Sequence, residues 1–500
     1  MVGAPSSPPV GLHTAPVPHG HLGLAGGTAL YVAAVLGTGI LVLPALAAAA
    51  AGPAAIIAVA ALAIISIPLA ATFAALARRH PDAGGVATFA RRAFGPTTAR
   101  VISYWFYFGT PIGAPIAALM TARYVVAVIG GDALQTVLIA IGLMIVPVIV
   151  TAFGVRFAGW LQLVLSAALV AVLVFVLAAA APHGDVNNLQ PLLPHGLSGV
   201  GLAMSLYIWA FAGWEAVAGI GGEFRNPRRD IPRATALALI IVSVAYLAVQ
   251  TVTILVLGDN ASTSTVPLLD LVLTATGRAG GIVVAVIAAI VVTGVFNAYL
   301  AAFSKLGAAM GRDRDLPRWF GRGAENGGVA RRGLLLSAII MAAYSAAVLT
   351  SGDLQPFILV HTSIAAAVYA VGVASALVLL PRWSLGWWMS LASCVFATGL
   401  LLLAGWHLVF PVGIAVVAMM VTLVLRWRAY ARPAHSANPS EGSSAQADAG
   451  AGATQIASDA TAPRSAVADC PAIRIVTSPA NARCSSSTRR VSRRRPRSAR

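Results

Sequence analysis

The stretch of sequence that decides the fold spans residues 207–233 and reads YIWAFAGWEAVAGIGGEFRNPRRDIPR. It begins as an apolar helix, carries the carboxylate of Glu215 within that apolar run, and ends in a loop with four arginines. A charge at the centre of a bilayer is costly, so a carboxylate there indicates a functional site. Gly213 and the glycine pair at 221–222 indicate a helix that breaks, and a broken membrane helix exposes backbone groups that must face a cavity or other protein. A packing helix whose Glu215 bonds to a neighbour is the alternative.

The composition around that stretch is that of a membrane protein. The chain has 500 residues, of which 58% are hydrophobic and 10% are charged, whereas a soluble domain carries about 45–50% apolar and about 25% charged residues. Apolar runs near the length that spans a bilayer, about 20 residues, predict an all-α polytopic protein with about twelve transmembrane helices. The runs lie near 23–50, 53–77, 98–129, 133–152, 157–181, 199–222, 235–257, 279–306, 333–351, 355–380, 385–404 and 406–426.

The distribution of basic residues predicts the orientation of these helices. The formal net charge of +17 is concentrated in short loops and in the C-terminal tail, which follows the positive-inside rule and does not indicate a nucleic-acid partner. The basic loops follow even-numbered helices, so we expect a multi-pass protein of the cell inner (plasma) membrane with both termini in the cytoplasm. The predicted domains are a disordered arm over 1–22, a transmembrane domain over 23–427 and a disordered basic tail over 428–500.

A second interruption lies in the first helix, where residues 37–40 read GTGI. Glycine-interrupted segments in the first and sixth helices indicate two inverted repeats of five helices. We expect these repeats over 23–181 and 199–380, followed by two extra helices over 385–426. Free N–H groups after a break suit a carboxylate, and free carbonyls before it suit an ammonium, so the two breaks predict a zwitterionic ligand. Close packing of helices through small residues is the alternative.

Side chains near the breaks complete the predicted site. The ring of Trp209 stands before the second break, where it can close over a ligand. Glu215 either carries a proton during transport or holds two helices together by hydrogen bonds. It is the only charged side chain firmly at midplane depth, and a charged ligand side chain would need a buried partner, so an apolar amino acid fits best. Tyr107 and Ile112 are the expected walls of the pocket.

Three of these stretches resemble the signatures of a known superfamily. FAGWEAVAGIGGEFRNPRRDIPRA at 211–234, GTGILVLPALAAAAAG at 37–52 and RRHPDAGGVATFARRAFG at 78–95 resemble helix 6, helix 1 and the helix 2–3 loop of the amino acid–polyamine–organocation (APC) transporters. Within that superfamily, YWFYFGTPIGAPIAALM at 104–120 is similar to helix 3 of bacterial exporters of L-methionine and branched-chain amino acids. The resemblance covers about residues 20–427 and implies a LeuT-like fold of ten core helices plus two.

The resemblance also implies which residues bind the substrate. The carboxylate would meet main-chain N–H groups of the first break, here Thr38, Gly39 and Ile40. The ammonium would meet carbonyls of both breaks, here near Val35, Leu36 and Phe211. Trp209 falls on the gating aromatic and Glu215 on the acid that follows the glycine. The residues of the breaks themselves, Gly37, Ala212 and Gly213, complete the predicted substrate-binding residues.

One position departs from the superfamily pattern. Several proton-coupled members carry a lysine in helix 5, where this chain has Leu169. Coupling to a proton or to sodium therefore stays open. Hydroxyl and amide side chains on helix 8 leave room for an ion site, although such groups are also common packing partners; they are Thr293, Asn297 and Ser304.

The predicted function is a secondary active transporter that exports neutral apolar amino acids, namely methionine, leucine, isoleucine and valine, by alternating access. A proton-coupled importer or exchanger is the alternative, and a channel or a membrane-embedded enzyme is a remote one. No HExxH or GxSxG motif and no pair of intramembrane carboxylates is present, so no enzyme activity, cofactor or metal is expected. The expected partners are the amino acid substrate and the lipid bilayer, and the oligomeric state is not predicted.

Overall fold

The structure, a computed structural model, describes residues 22–80, 85–154, 159–211, 213–215, 221–322 and 330–430. In these ranges the chain is helical throughout, and the single β-bridge joins Leu22 to Phe224. The α-helices are α1 Leu24–Leu36, α2 Leu43–Ala51, α3 Ala55–Arg79, α4 Gly85–Phe94, α5 Pro96–Tyr104, α6 Gly113–Ile129, α7 Ala133–Ala152, α8 Gly159–Ala180, α9 Gly196–Phe211, α10 Pro227–Leu257, α11 Pro267–Arg312, α12 Arg331–Ser351, α13 Gln355–Leu379, α14 Leu385–Ala404 and α15 Val409–Tyr430.

The membrane-spanning character predicted from composition is confirmed. Nine helical stretches of the described ranges are long and apolar enough to cross a bilayer. The stretch Leu385–Leu425 covers the last two predicted spans, whereas Leu43–Arg79 contains the second predicted span and only the end of the first. Helices α1 and α9 are shorter apolar helices. The count of about twelve helices and the domain boundaries stay predictions, and residues 1–21 and 431–500 lie outside the described part of the chain.

Two helices end where the sequence places small residues. Helix α1 ends before Gly37, whose φ of 32° is strained for a residue with a side chain, and a short 3₁₀ turn, Gly39–Leu41, precedes α2. Proline occupies the first turn of α2, where its missing N–H costs nothing. Helix α9 ends at Phe211 and Gly213 follows with a φ of 127°, a conformation that favours glycine.

The third predicted span is irregular rather than a uniform α-helix. After α5 the chain forms a π-turn over Trp105–Gly109 and a 3₁₀ turn over Thr110–Ile112 before α6 begins. π-Turns of this kind are frequent at functional sites. The extra residue in the turn rotates the helix, which changes the side chains that face the centre of the molecule.

The core forms where the interrupted helices meet their neighbours. Helix α10 packs closely on α3 and α1, α11 packs on α6, α7, α8 and α12, and α13 packs on α9 and α14. Large aromatic side chains are fully buried in these contacts, among them Tyr207, Trp214, Tyr246 and Tyr369. This packing fixes the two breaks beside each other.

Polar contacts and aromatic clusters mark the ends of the helices. The guanidinium of Arg100 on α5 donates to Asp315 and to Thr422 on α15, and the Tyr104 hydroxyl donates to the Asp315 carbonyl at 2.7 Å. Aromatic rings flank α14, with the exposed Trp383 and Trp388 and the half-buried Trp387 at one end, and the exposed Trp406 and Phe410 at the other. Such aromatic belts are typical of the two membrane–water interfaces.

Candidate functional site

A cavity of about 130 Å³ lies between the two helix breaks. Its wall combines the first break, the irregular segment of the third span, and parts of α6, α9, α11 and α13. The predicted residues that line it are Val35, Gly37, Thr38, Gly39, Trp209, Gly213 and Glu215. The structure therefore brings together most of the site that the sequence predicts.

The two breaks touch at Gly213. A Cβ atom on this residue would lie 2.9 Å from the carbonyl oxygen of Ala34 and 3.1 Å from Cγ2 of Val35. Real Cβ atoms do not approach a backbone oxygen this closely, so only glycine fits both the contact and the positive φ. The second break is thereby held against the last turn of α1.

The first break offers backbone donors to the cavity. The carbonyls of Thr38 and Gly39 accept the N–H groups of Leu41 and Val42 in the short 3₁₀ turn. Among the described residues, the N–H groups of Thr38 and Gly39 have no backbone acceptor, although a buried N–H normally has a partner. Donors without partners beside a cavity are what binding of a carboxylate requires.

The ring of Trp209 lies over this break. A Cβ atom on Gly39 would lie 2.9 Å from Cδ1 of Trp209, 3.0 Å from Cδ1 of Leu43 and 3.2 Å from the Tyr246 hydroxyl. A Cβ atom on Gly113 would lie 3.1 Å from the other end of the indole ring. Trp209 is thus placed as a cover on the cavity, with small residues at both of its ends.

Two tyrosine hydroxyls donate hydrogen bonds to backbone carbonyls that the sequence analysis assigns to the substrate ammonium. The Tyr246 hydroxyl donates to the Leu36 carbonyl at 2.7 Å, and the Tyr369 hydroxyl donates to the Phe211 carbonyl at 3.2 Å. Neither Leu36 nor Phe211 lines the cavity, and neither does Ile40, whereas Val35 does. Both tyrosines lie far along the chain from the carbonyls that they bind, so no local sequence signal indicates them.

Glu215 lies at the point where the second break meets the cavity. Its Oε2 accepts the N–H of Gly213 at 2.9 Å, and the Tyr369 hydroxyl lies within hydrogen-bonding reach of both groups. The carboxylate therefore satisfies a backbone donor that the break leaves free. The structure supports a structural role and also places the group where a proton carrier would stand.

His361 is a cavity residue that the sequence analysis misses. Its ring centroid lies 4.5 Å from that of Trp209, and its buried Nδ1 has no hydrogen-bond partner in the described residues. A lone histidine in the apolar run at 355–380 is the only signal that singles it out. A buried polar atom without a partner is unusual in a native protein and calls for an explanation.

Tyr107 does not line the cavity. Its hydroxyl donates to the Gly333 carbonyl at 2.7 Å, and its ring belongs to a separate buried cluster between α5 and α11. The neighbouring Phe106 lines the cavity instead, because the π-turn rotates this part of the helix. Ile112 is also buried outside the cavity, and Ala212 lies outside the described residues.

The polar side chains proposed for an ion site on α11 are bonded to protein atoms. Thr293 donates to the Ala289 carbonyl at 2.8 Å, Asn297 donates to the Thr151 hydroxyl at 3.2 Å, and Ser304 donates to the Ala330 carbonyl at 3.0 Å. These contacts are those of helix packing. No group of three or more metal-ligating side chains occurs in the part of the chain that the structure describes.

Comparison with known proteins agrees with this architecture. A family model of amino acid permeases matches residues 22–429. The uncharacterized amino acid permease YecA of Bacillus subtilis is 29% identical over 395 residues, which is 78% of this chain and 92% of that protein. The L-methionine/branched-chain amino acid exporter YjeH of Escherichia coli is 35% identical over 229 residues, which is 45% of this chain and 54% of that exporter.

A solved structure shares the fold at low sequence identity. The crystal structure of MhsT in complex with L-phenylalanine superposes with a TM-score of 0.55 and 15% identity, covering 78% of this chain and 99% of MhsT. This likeness confirms the LeuT-like fold. Together with the match over residues 22–429, it shows that the chain is a multi-pass membrane protein of the amino acid permease family in the APC superfamily, and not an enzyme.

Proposed function

We propose that the chain is a secondary active transporter that exports neutral apolar amino acids, with methionine, leucine, isoleucine and valine as substrates. The observation that carries the proposal is the pair of free N–H groups at Thr38 and Gly39 beside a cavity bounded by both helix breaks. An α-carboxylate accepts both donors, and the positive end of the short helix that follows favours the negative charge.

The α-ammonium lies toward the end of α1 in this proposal. The Val35 carbonyl faces the same break, and its contact with the Tyr246 hydroxyl is long, at 3.4 Å. The Leu36 carbonyl, in contrast, already holds that hydroxyl at 2.7 Å. We therefore assign the ammonium to the Val35 carbonyl rather than to Leu36 or Phe211, with Trp209 covering the bound zwitterion.

The remaining wall of the cavity suits an apolar side chain. Its lining from the third span, α11 and α13 is mostly aliphatic or aromatic. Among the described residues, this lining contains no arginine or lysine side chain. The carboxylate of the described lining, Glu215, already accepts the Gly213 N–H, so His361 is the one basic side chain that a charged substrate group could meet there. Burial of apolar surface then favours side chains such as those of leucine and methionine. The lining residues concerned are Phe106, Val295, Phe296, Phe303 and Ile364.

Relatives support export and also support the alternative. The E. coli relative is described as an exporter of L-methionine and branched-chain amino acids. Another relative, 25% identical over 244 residues, is the branched-chain amino acid permease BcaP of Bacillus subtilis. A proton-coupled importer or exchanger of the same substrates is the second candidate, and the position of Glu215 between the break and the cavity favours it.

Transport of labelled amino acids separates these candidates. Purified protein in liposomes should exchange labelled leucine or methionine for the unlabelled amino acid, and should not exchange arginine. Cells that overproduce the protein and are fed methionine- or leucine-containing dipeptides should release the free amino acid faster than control cells. Exchange without faster release would support the importer, and exchange of arginine alone would reject the proposed substrates.

A further inference from the structure

A second cavity, of about 400 Å³, opens on the outer face of the helix bundle between α7 and α12. Its α12 side carries alanines at 338, 342 and 346, and this spacing of four residues places them on one face of the helix. Ala342 and Ala346 are exposed, as is Ile145 on the opposite wall. Small side chains in a row leave a channel along the helix, which we name the α7/α12 groove.

The floor of the α7/α12 groove is apolar. Met144 and Met341 are buried at its base. The one hydroxyl of the lining, Ser345, donates to the Met341 carbonyl at 2.7 Å and is therefore satisfied within its own helix. Nothing in the groove offers a free hydrogen-bonding group, so its occupant is a hydrocarbon.

The groove leads to a cationic end. Arg331 begins α12, and its Nε donates to the Ala152 carbonyl at the end of α7, so the side chain bridges the two helices that form the groove. Arg331 precedes Ala338 by seven residues, which is two turns and about 10 Å along the same helix face. Its side chain is exposed, and no salt bridge among the described residues neutralises it.

A second arginine adds to the positive charge at this end. The guanidinium of Arg332 is held 4.7 Å from the ring centroid of Trp319, and its Nη1 donates to the Trp319 carbonyl at 2.7 Å. Trp319 itself is 47% exposed, as is typical of an aromatic side chain at a membrane–water interface. The cationic end therefore lies where lipid phosphates lie.

We propose that the α7/α12 groove is a binding site for an anionic phospholipid, with an acyl chain along the alanine face and the phosphate at Arg331. The groove extends over the twelve residues from Ala338 to Leu349, or about 16 Å of helix between the first and the last. The two arginines at its end favour a lipid over an apolar helix of a second copy, because an anionic headgroup brings a negative charge to Arg331.

Lipid-dependent thermal stability of the purified, delipidated protein tests the proposal. Phosphatidylglycerol should raise the unfolding midpoint more than phosphatidylcholine with the same acyl chains, and inorganic phosphate alone should not raise it. Arg331→Gln should weaken the affinity for phosphatidylglycerol about fivefold, because one basic side chain near an anionic surface contributes about that much. Arg382→Gln, which removes an exposed arginine elsewhere, should keep the wild-type affinity.

Filling the groove gives an independent test. Ala342→Trp should abolish the advantage of phosphatidylglycerol, whereas Ile339→Trp, on the same helix but outside the groove lining, should keep it. Should Ala342→Trp not fold, Ala346→Phe fills the same groove. Equal stabilisation by both lipids, an unchanged response in the groove variants, or a change of oligomeric state on filling the groove would overturn the proposal.

Discussion

At the scale of single residues, Gly39 decides whether the cavity can hold a substrate. We expect Gly39→Val to abolish binding, because its Cβ would already lie 2.9–3.2 Å from the neighbouring side chains, Trp209 and Tyr246 among them. Overpacking of this kind costs about 1–3 kcal/mol of stability, so the break must shift and its N–H groups leave the position that the carboxylate requires. The measurement is binding of labelled leucine to purified protein, with the amount of inserted protein quantified in parallel.

Gly142→Val is the matched control for this change. Gly142 lies in the membrane helix α7 and a Cβ there would meet no atom within 4 Å. Valine is well tolerated in lipid, so the control should insert and bind like the wild type. Equal binding by both variants would show that the substrate does not approach the first break.

Glu215 allows its two roles to be separated by a single substitution. In Glu215→Gln the amide oxygen can still accept the Gly213 N–H, so the fold and substrate binding should persist. If the carboxylate carries a proton, transport by this variant should lose its dependence on pH. Rates of leucine transport at several pH values measure this, and an unchanged profile would reject the proton role. Glu223→Gln, an exposed carboxylate after the second break, is the control.

The sequence predicts some residues of the site and misses others for a physical reason. The breaks are predictable because glycine at Gly37 and Gly213 marks a backbone that leaves the helix. Tyr246 and Tyr369 are not predictable, since they reach the site from distant helices and nothing local distinguishes them from buried aromatic packing residues. His361 has one local signal, its position as a lone histidine in the apolar run at 355–380, but this signal does not show that the ring reaches the cavity.

At the scale of secondary-structure elements, the start of α1 is joined to the segment after the second break. Leu22 and Phe224 form the single β-bridge of the described residues, with N···O distances of 2.9 Å for both of its hydrogen bonds, and the Phe224 ring packs on Tyr31 and Gly27. The start of α1 is therefore joined to residues 223–225, which follow the second break.

Gly27→Ala tests this junction. Its Cβ would lie 2.2 Å from Cε1 of Phe224, so the ring must leave its place, and we expect a loss of about 1–3 kcal/mol of stability and slower transport. Gly26→Ala is the control, because its Cβ would meet only Leu22 at 3.4 Å. Thermal unfolding of both variants measures the effect, and equal midpoints would show that Phe224 is free to move.

The contact between α5 and the loop after α11 should depend on pH. Burial raises the pKa of the Asp315 carboxyl above its ordinary value, and the hydrogen bond and charge of Arg100 only partly oppose this. A raised pKa in the folded state means that the associated stability is present at low pH and is lost as the pH rises through the folded-state pKa. Asp315→Asn should remove this dependence.

Unfolding midpoints of the wild type and of Asp315→Asn between mildly acidic and neutral pH measure the effect. The wild type should gain stability relative to the variant as the pH falls. Asp313→Asn is the control, since Asp313 is exposed and pairs with an exposed Arg91 at 3.0 Å. A wild type that instead loses stability relative to Asp315→Asn on acidification would contradict the expected direction.

The element scale also shows where periodicity is a poor guide. The sequence analysis expects Tyr107 as a wall of the pocket, but the chain forms a π-turn at Trp105–Gly109 and Phe106 lines the cavity instead. The proline and the two glycines at 109–113 indicate that the helix is irregular there. They do not reveal whether the chain tightens into a 3₁₀ turn or widens into a π-turn.

At the scale of the whole molecule, the alternation of basic loops predicts the topology. Reporter fusions after Asn260 and after Asn326 should report the outside and the cytoplasm respectively, because an excess of arginine marks cytoplasmic loops. A phosphatase reporter, active outside, and a fluorescent reporter, active in the cytoplasm, measure the two positions. The same side for both fusions would overturn the predicted orientation and helix count.

Composition predicts the membrane class of this chain, the glycine interruptions indicate inverted repeats, and the resemblance to the APC superfamily implies the LeuT-like fold. The membrane class and the fold are confirmed. The direction of transport is not encoded in such features. It depends on the relative free energies of inward- and outward-open states and on the coupled gradient, whereas hydrophobic runs and breaks specify only that a central site exists.

The aromatic rings at the two ends of α14 set a length scale for the surrounding lipid. Trp388 and Trp406 are exposed and eighteen residues apart, which corresponds to about 27 Å of helix. A bilayer whose hydrocarbon thickness matches that span leaves both rings at its interfaces. In a thicker bilayer, either the lipid thins around the protein or the two rings are buried below the interfaces. Each adjustment costs a fraction of a kcal/mol per Å of mismatch. The spacing of the two rings therefore favours a bilayer whose hydrocarbon thickness around α14 is about 27 Å, near the ordinary value of about 30 Å.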